Sequence, residues 1–145
     1  MPVEGLLAGM LLPSGNDAAI ALADHVAGHD RDFVKLMNAR AKTMGLGCTH
    51  YASSYGLEDS NRSCAADLAA LARVAMAKPR IARLARKPQA KVRFPIKTGS
   101  TDKAGHCFVG IVRRGRRTFG VVLLHSPNPG SQAIKLVNAA VKVRP

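Results

Sequence analysis

The sequence has no tryptophan, two tyrosines and four phenylalanines in 145 residues, so it offers no row of aromatic platforms on which nucleic-acid bases would stack. Long apolar runs are missing as well. No stretch approaches the roughly 18 to 20 apolar residues that a membrane span requires. Cysteine is scarce: Cys48, Cys64 and Cys107 show neither the C-x-x-C pairing of a zinc site nor a nearby set of histidine ligands. No metal and no cofactor is therefore expected. Three cysteines allow at most one internal disulfide, with Cys64–Cys107 a weak candidate in an exported protein, and small buried thiols are the preferred expectation. The N-terminus, Met1 to Leu12, holds Glu4 but no Lys or Arg and does not read as a signal peptide.

Acidic residues also run out. All nine lie at or before Asp102, and none falls between Asp67 and Asp102, where Arg73, Lys78, Arg80, Arg83, Arg86, Lys87, Lys91 and Arg93 crowd together. The net charge is +13. Such a field attracts polyanions without choosing among them. No nucleic-acid motif accompanies it, so specific nucleic-acid binding is not expected and a solvated basic face is.

What is present suits one globular domain. Nearly half of the residues are apolar, enough for a core and too many for disorder. Residues 3 to 12 form an apolar stretch ending at Pro13, and Ser14-Gly15-Asn16-Asp17 has the chemistry of a helix N-terminus. Helices are expected over Ala18–Ala27, stopped by Gly28, and Asp30–Met44, stopped by Gly45. An ordered loop follows from Cys48 to Asn61. Ser63 can cap a helix over Cys64–Ala77, and Pro79 opens a basic helical turn through Arg86. Val92 and Phe94, between Pro88 and Pro95, alternate as a short edge strand would. Cys107–Val112 and Thr118–His125 read as a hairpin joined by Arg113 to Arg117, with both faces covered. Ser131 can cap a final amphipathic helix containing Ile134, Val137, Ala140 and Val141.

Two triplets carry the functional signal: Ser14-Gly15-Asn16 opening a helix, and Lys97-Thr98-Gly99, followed by Ser100, just before the hairpin. With Leu6 to Ala27, Phe33-Val34, Met37-Asn38, Leu46, Thr49-His50, Gly56-Leu57 and Ser63 to Leu71, they make the chain resemble the serine-type D-alanyl-D-alanine carboxypeptidases. These are the low-molecular-mass penicillin-binding proteins of peptidase family S11, here with an actinobacterial tone. The resemblance implies a mixed α+β, β-lactamase/transpeptidase-like fold, incomplete over 1–145. A mainly helical part (1–90) carries Ser-x-Asn; the strands with Lys-Thr-Gly and a covering helix follow (91–145).

The resemblance further implies a role for each motif residue. Ser14 relays protons to the departing D-alanine amine, and Asn16 donates its amide to the substrate peptide. Lys97 supplies positive charge, and Thr98 bonds the substrate's carboxylate. Gly99 leaves room for the substrate, and the Ser100 N–H is an oxyanion-hole donor. The partners implied are D-Ala-D-Ala stem peptides of peptidoglycan and β-lactams, in an extracytoplasmic setting. Arg113 to Arg117 is read from its charge as a solvated hairpin tip, with contact to an anionic cell-wall polymer as the alternative. Two departures stand out. The family's acylated Ser-x-x-Lys should lie several tens of residues upstream of Ser14, and the sole match of that spacing, Ser100 to Lys103, is read as coincidence. The approach Arg93-Phe94-Pro95-Ile96 is shorter than the family's and resembles an internal deletion. The alternative to a carboxypeptidase is an inactive remnant or wall-binding module.

Overall fold

A computed structural model describes residues 1–87 and 95–143. They contain six helices and a three-stranded antiparallel sheet, the helices first, then the sheet, then a last helix, which is the expected α+β order. They divide into two compact units, Met1–Asp67 and Leu68–Pro145.

In the first unit, α1 (Val3–Leu11) packs on α2 (Asn16–Ala27), and α2 on α3 (Asp30–Thr43). The stretch ahead of Pro13, expected only to be apolar, is thus helical. Small residues set these packings. A β-carbon on Gly9 would lie 3.4 Å from that of Ala18, and Ala18, Ala19, Ala23 and Ala41 are buried. Gly28 (φ 80°) and Gly45 (φ 70°) stop α2 and α3 in the left-handed region where glycine carries no Cβ penalty.

The loop after α3 has almost no regular structure, and three polar side chains order it. Asn38 of α3 donates to the Tyr51 carbonyl (2.7 Å) and accepts from the Tyr51 N–H (2.9 Å). Asn61 accepts from the N–H groups of Ala52 (2.8 Å) and Ser53 (3.3 Å) while donating to Ser53 Oγ (3.0 Å). Asp67 accepts from the Cys48 N–H (2.9 Å) and from Thr49 Oγ1 (2.7 Å). These bonds satisfy backbone groups that no ladder pairs.

Here two expectations are corrected. The preferred one, small buried thiols, fails because Cys48 is exposed and Cys64 and Cys107 are only half-buried. The weaker pairing fails as well. Cys48 and Cys64, not Cys64 and Cys107, form the disulfide, with Cα atoms 5.6 Å apart, and Cys107 is the free thiol. The cause is register. His50 and Arg62 form an isolated antiparallel bridge, and two residues outward on each side places 48 opposite 64.

The second unit continues α4 (Ala65–Met76) and holds α5 (Pro79–Ala85), β1 (Pro95–Thr101), β2 (Gly105–Arg114), β3 (Arg117–Leu123) and α6 (Pro129–Lys142). The strand order is β1-β2-β3. The hairpin turn is Gly115-Arg116 alone, shorter than expected, because Arg114 still pairs with Arg117. Gly115 takes φ 59°, as the first central residue of a II′ turn requires. One sheet face packs on α6: Phe108, Val112 and Val121 form a core with Ala133 and Val137. The alternate residues Val109, Ile111 and Val122 are half-buried. The cap of α6 is Asn128, whose side chain accepts from the Ser131 N–H at 3.2 Å. Ser131, the expected cap, lies inside the helix, since Pro129 occupies its first turn and needs no N–H partner there. The strand expected at Val92 and Phe94 falls outside the described residues.

Candidate active-site segments

Ser14 and Asn16 stand at the mouth of α2. Ser14 is exposed, with φ 64°. A left-handed conformation is uncommon for a residue other than glycine and costs about 1–3 kcal/mol, so surrounding bonds must hold it. One such bond runs from the Gly15 N–H to the Gly9 carbonyl, 2.9 Å, tying the turn back onto α1. A side chain at Gly15 would also crowd this turn. Its β-carbon would lie 2.9 Å from Asp17 Oδ1 and 3.2 Å from that same carbonyl oxygen. Asp17, in the first turn, accepts from the Ala18 N–H at 2.8 Å and suits the positive end of the helix dipole. Asn16, half-buried, is the first helical residue.

Lys97, Thr98, Gly99 and Ser100 all lie on β1, in register with Val109, Phe108, Cys107 and His106 of β2. The other edge of β1 pairs with no strand among the described residues. Thr98, Gly99 and Ser100 are exposed along it, and an edge of this kind presents backbone N–H and C=O groups to an extended peptide. Lys97 is half-buried, and its Nζ donates to the Thr98 carbonyl at 2.6 Å. Burial disfavours the ammonium and lowers its pKa from the ordinary 10.5. The register places Lys97 beside Val109 on the sheet face away from the α6 core. The pairing is irregular between Pro95 and Lys97, at the end of the short approach to the Lys97 triplet.

The turn after β1 is fixed by a residue the sequence did not single out. His125, at φ 51°, sets Nδ1 3.2 Å from the Ala104 carbonyl oxygen. A β-carbon on Gly105 (φ 62°) would come within 2.7 Å of that nitrogen. The next residue, Ser126, is buried; its N–H donates to the His106 carbonyl and its Oγ to Gln132 Oε1. Ser100 belongs to β1 and Lys103 to the turn after it, so this Ser-x-x-Lys is not one turn of a helix.

Residues 1–96 match the model of the peptidase S11 family, D-alanyl-D-alanine carboxypeptidase. The match takes in Ser14 and Asn16 and stops one residue short of Lys97. The D-alanyl-D-alanine carboxypeptidase DacB2 of Mycobacterium tuberculosis is 36% identical over 144 residues, covering 83% of this chain and 49% of the relative. DacF of Bacillus subtilis is 27% identical over 166 residues, covering 97% of this chain and 43% of its own length. The crystal structure of a D-alanyl-D-alanine carboxypeptidase from Mycobacterium tuberculosis superposes with a TM-score of 0.90 at 31% identity, over 100% of this chain and 66% of that one. For the Streptomyces K15 DD-transpeptidase the TM-score is 0.90 at 28% identity, over 99% and 69%.

The chain belongs to the peptidase S11 family of D-alanyl-D-alanine carboxypeptidases. It spans about half the length of the curated relatives it matches. The alignment with DacF is longer than this whole chain. The relative therefore carries residues inside the aligned region that this chain lacks, in keeping with an internal deletion. No helix among the described residues is long and apolar enough to cross a membrane.

Proposed function

We propose that residues 1–145 are part of one transpeptidase-like domain of an extracytoplasmic, serine-type D-alanyl-D-alanine carboxypeptidase, and that they supply its substrate-binding and proton-relay groups. The observation that carries this reading is the exposure of Lys97-Thr98-Gly99-Ser100 along a sheet edge with no strand beside it among the described residues. The stem peptide lies antiparallel along β1 and extends the sheet, with Gly99 leaving it room. Thr98 Oγ1 bonds the terminal carboxylate, and Lys97 adds positive charge beside it. Asn16 bonds the peptide amide.

In the reaction a serine Oγ attacks the carbonyl of the penultimate D-alanine. The tetrahedral oxyanion accepts a hydrogen bond from the Ser100 N–H. The C–N bond then breaks, and the terminal D-alanine leaves with a proton relayed through the Ser14 hydroxyl. Water hydrolyses the resulting ester. β-Lactams enter the same site and acylate the same serine. Turnover depends on that acylated serine: without it no acyl-enzyme forms, and only the binding and oxyanion contributions remain.

The second reading is binding without turnover, as an inactive remnant or wall-binding module of the same family. Intact-mass spectrometry after incubation with a reporter penicillin separates the two, with Ser14→Ala and Ser100→Ala as controls. A stoichiometric adduct establishes that this chain holds an acylatable serine, as the carboxypeptidase reading requires, and the control that abolishes it names the serine. An unmodified mass, together with amide shifts along β1 on titration with a D-Ala-D-Ala peptide, establishes binding alone. Neither adduct nor shift would overturn both.

A further inference from the structure

The β2–β3 tip concentrates charge in a way that folding does not explain. Arg113 and Arg114 end β2, Arg116 sits in the turn and Arg117 opens β3. Register sets Arg114 directly opposite Arg117, and like charges so placed repel. Arg117 is drawn away from that pairing. Its guanidinium donates to the carbonyls of Val141 (3.3 Å) and Val143 (3.0 Å) at the end of α6 and stands 4.9 Å from the Phe119 ring. Lys142 lies between those two acceptors, so it joins the same end of the unit.

Arg113, Arg114 and Arg116 remain exposed. Arg113 commits only Nε, to the Gly115 carbonyl at 3.2 Å. No carboxylate among the described residues forms an ion pair with any of the three, and the sequence holds no Asp or Glu after Asp102. Among the described residues no carboxylate offsets the mutual repulsion at the tip, a cost that an anionic ligand would remove.

Three observations narrow the ligand. Adjacent strand residues alternate faces, so Arg113 and Arg114 project from opposite sides of the hairpin with Arg116 at its apex. Charge that wraps a tip fits a flexible linear polymer; a planar membrane would meet one face. The segment Arg113 to Thr118 contains no apolar side chain to insert into a bilayer. The nearby aromatic ring, Phe119, already lies against Arg117 and offers no free platform for a base. Guanidinium forks match phosphate oxygens bidentately.

We propose that the tip formed by Arg113, Arg114 and Arg116, with Lys142 beside it, docks a linear phosphodiester polymer of the cell envelope. The inference rests on the carboxypeptidase reading only for that setting. Its test uses no D-alanyl peptide, so either can fail without the other.

The test is titration of the full chain with poly(glycerol phosphate), read by calorimetry at several salt concentrations. Replacing the three arginines together (Arg113→Gln, Arg114→Gln, Arg116→Gln) should weaken binding at least tenfold. It should also flatten the slope of log K against log salt by about two, at roughly 0.7 for each phosphate no longer neutralised. Removing the same charge elsewhere (Arg80→Gln, Arg86→Gln, Lys87→Gln) should change affinity less than threefold. Circular dichroism checks that both variants are folded. Equal loss in the two triple variants would reduce the effect to net charge and overturn the proposal. So would tighter binding to duplex DNA of equal phosphate number, or binding confined to phosphatidylglycerol vesicles.

Discussion

His50 and Arg62 exchange both backbone hydrogen bonds, 2.8 Å and 2.9 Å, across an isolated antiparallel bridge. That single pair is what brings Cys48 and Cys64 together at the next matching position, while Asp67 holds the N–H of Cys48 from the other side. The disulfide is therefore a consequence of loop register, and it closes a segment whose polar side chains already order it.

The bridge closes a ring with a sequence separation of 16, for which the loss of unfolded-chain entropy corresponds to about 3 kcal/mol. Urea denaturation of Cys64→Ala should show a loss of that order. Under native, non-reducing conditions iodoacetamide should add one label, at Cys107. Two or three labels on the folded protein would show that the bridge does not form.

Lys97 gives a pH signature with a definite sign. Burial lowers its folded-state pKa below the ordinary 10.5, so between the two values the unfolded chain binds more protons than the folded one. Its contribution to stability rises with pH through that window and is complete above the unfolded pKa. Lys97→Met should flatten this rise in denaturation curves recorded on the alkaline side. An NMR titration of the Lys97 ε-carbon should place its midpoint below those of the exposed lysines.

Gly105 and His125 form a steric pair. Gly105→Ala adds a methyl within 2.7 Å of the imidazole at positive φ, a combination expected to cost about 1–3 kcal/mol. Adding His125→Ala should recover the steric share and leave the backbone share. A double-mutant cycle measures the split, and full additivity would show that the ring does not pack there.

Arg117→Ala removes the donor that satisfies carbonyls at the C-terminal end of α6. The site is exposed, so the loss should be modest, about 1 kcal/mol. Hydrogen exchange should quicken in the last turn of α6, while the Phe108–Val121 region of the core keeps its protection.

Of the helices in the first unit, α2 and α3 are legible in the sequence because apolar periodicity and glycine stops act locally, whereas α1 reads only as an apolar stretch. α3, expected over Asp30–Met44, spans Asp30–Thr43, and Gly28 and Gly45 end α2 and α3 as expected. The hairpin is legible from its two apolar runs, but its turn is shorter than its residues suggest, since Arg114 and Arg117 look like loop residues and are paired all the same. The α6 cap is ambiguous in the sequence because Asn128, Ser131 and the intervening Pro129-Gly130 offer competing local signals. The triplets Ser14-Gly15-Asn16 and Lys97-Thr98-Gly99 are legible as short motifs in context. Their surroundings are not: a sequence does not announce that Ser14 takes positive φ, or that His125 lies against Gly105.

The sequence by itself determined the family, the α+β order, the basic balance and the residues that carry the motifs, since these depend on residue identity and spacing along one chain. Tertiary structure alone decided which cysteines join, that Asn38 and Asn61 order the loop, that Lys97 is half-buried and that Arg117 turns from its cross-strand neighbour to α6. Each of these depends on atoms brought close from distant positions in the chain, and their distances follow from packing and register.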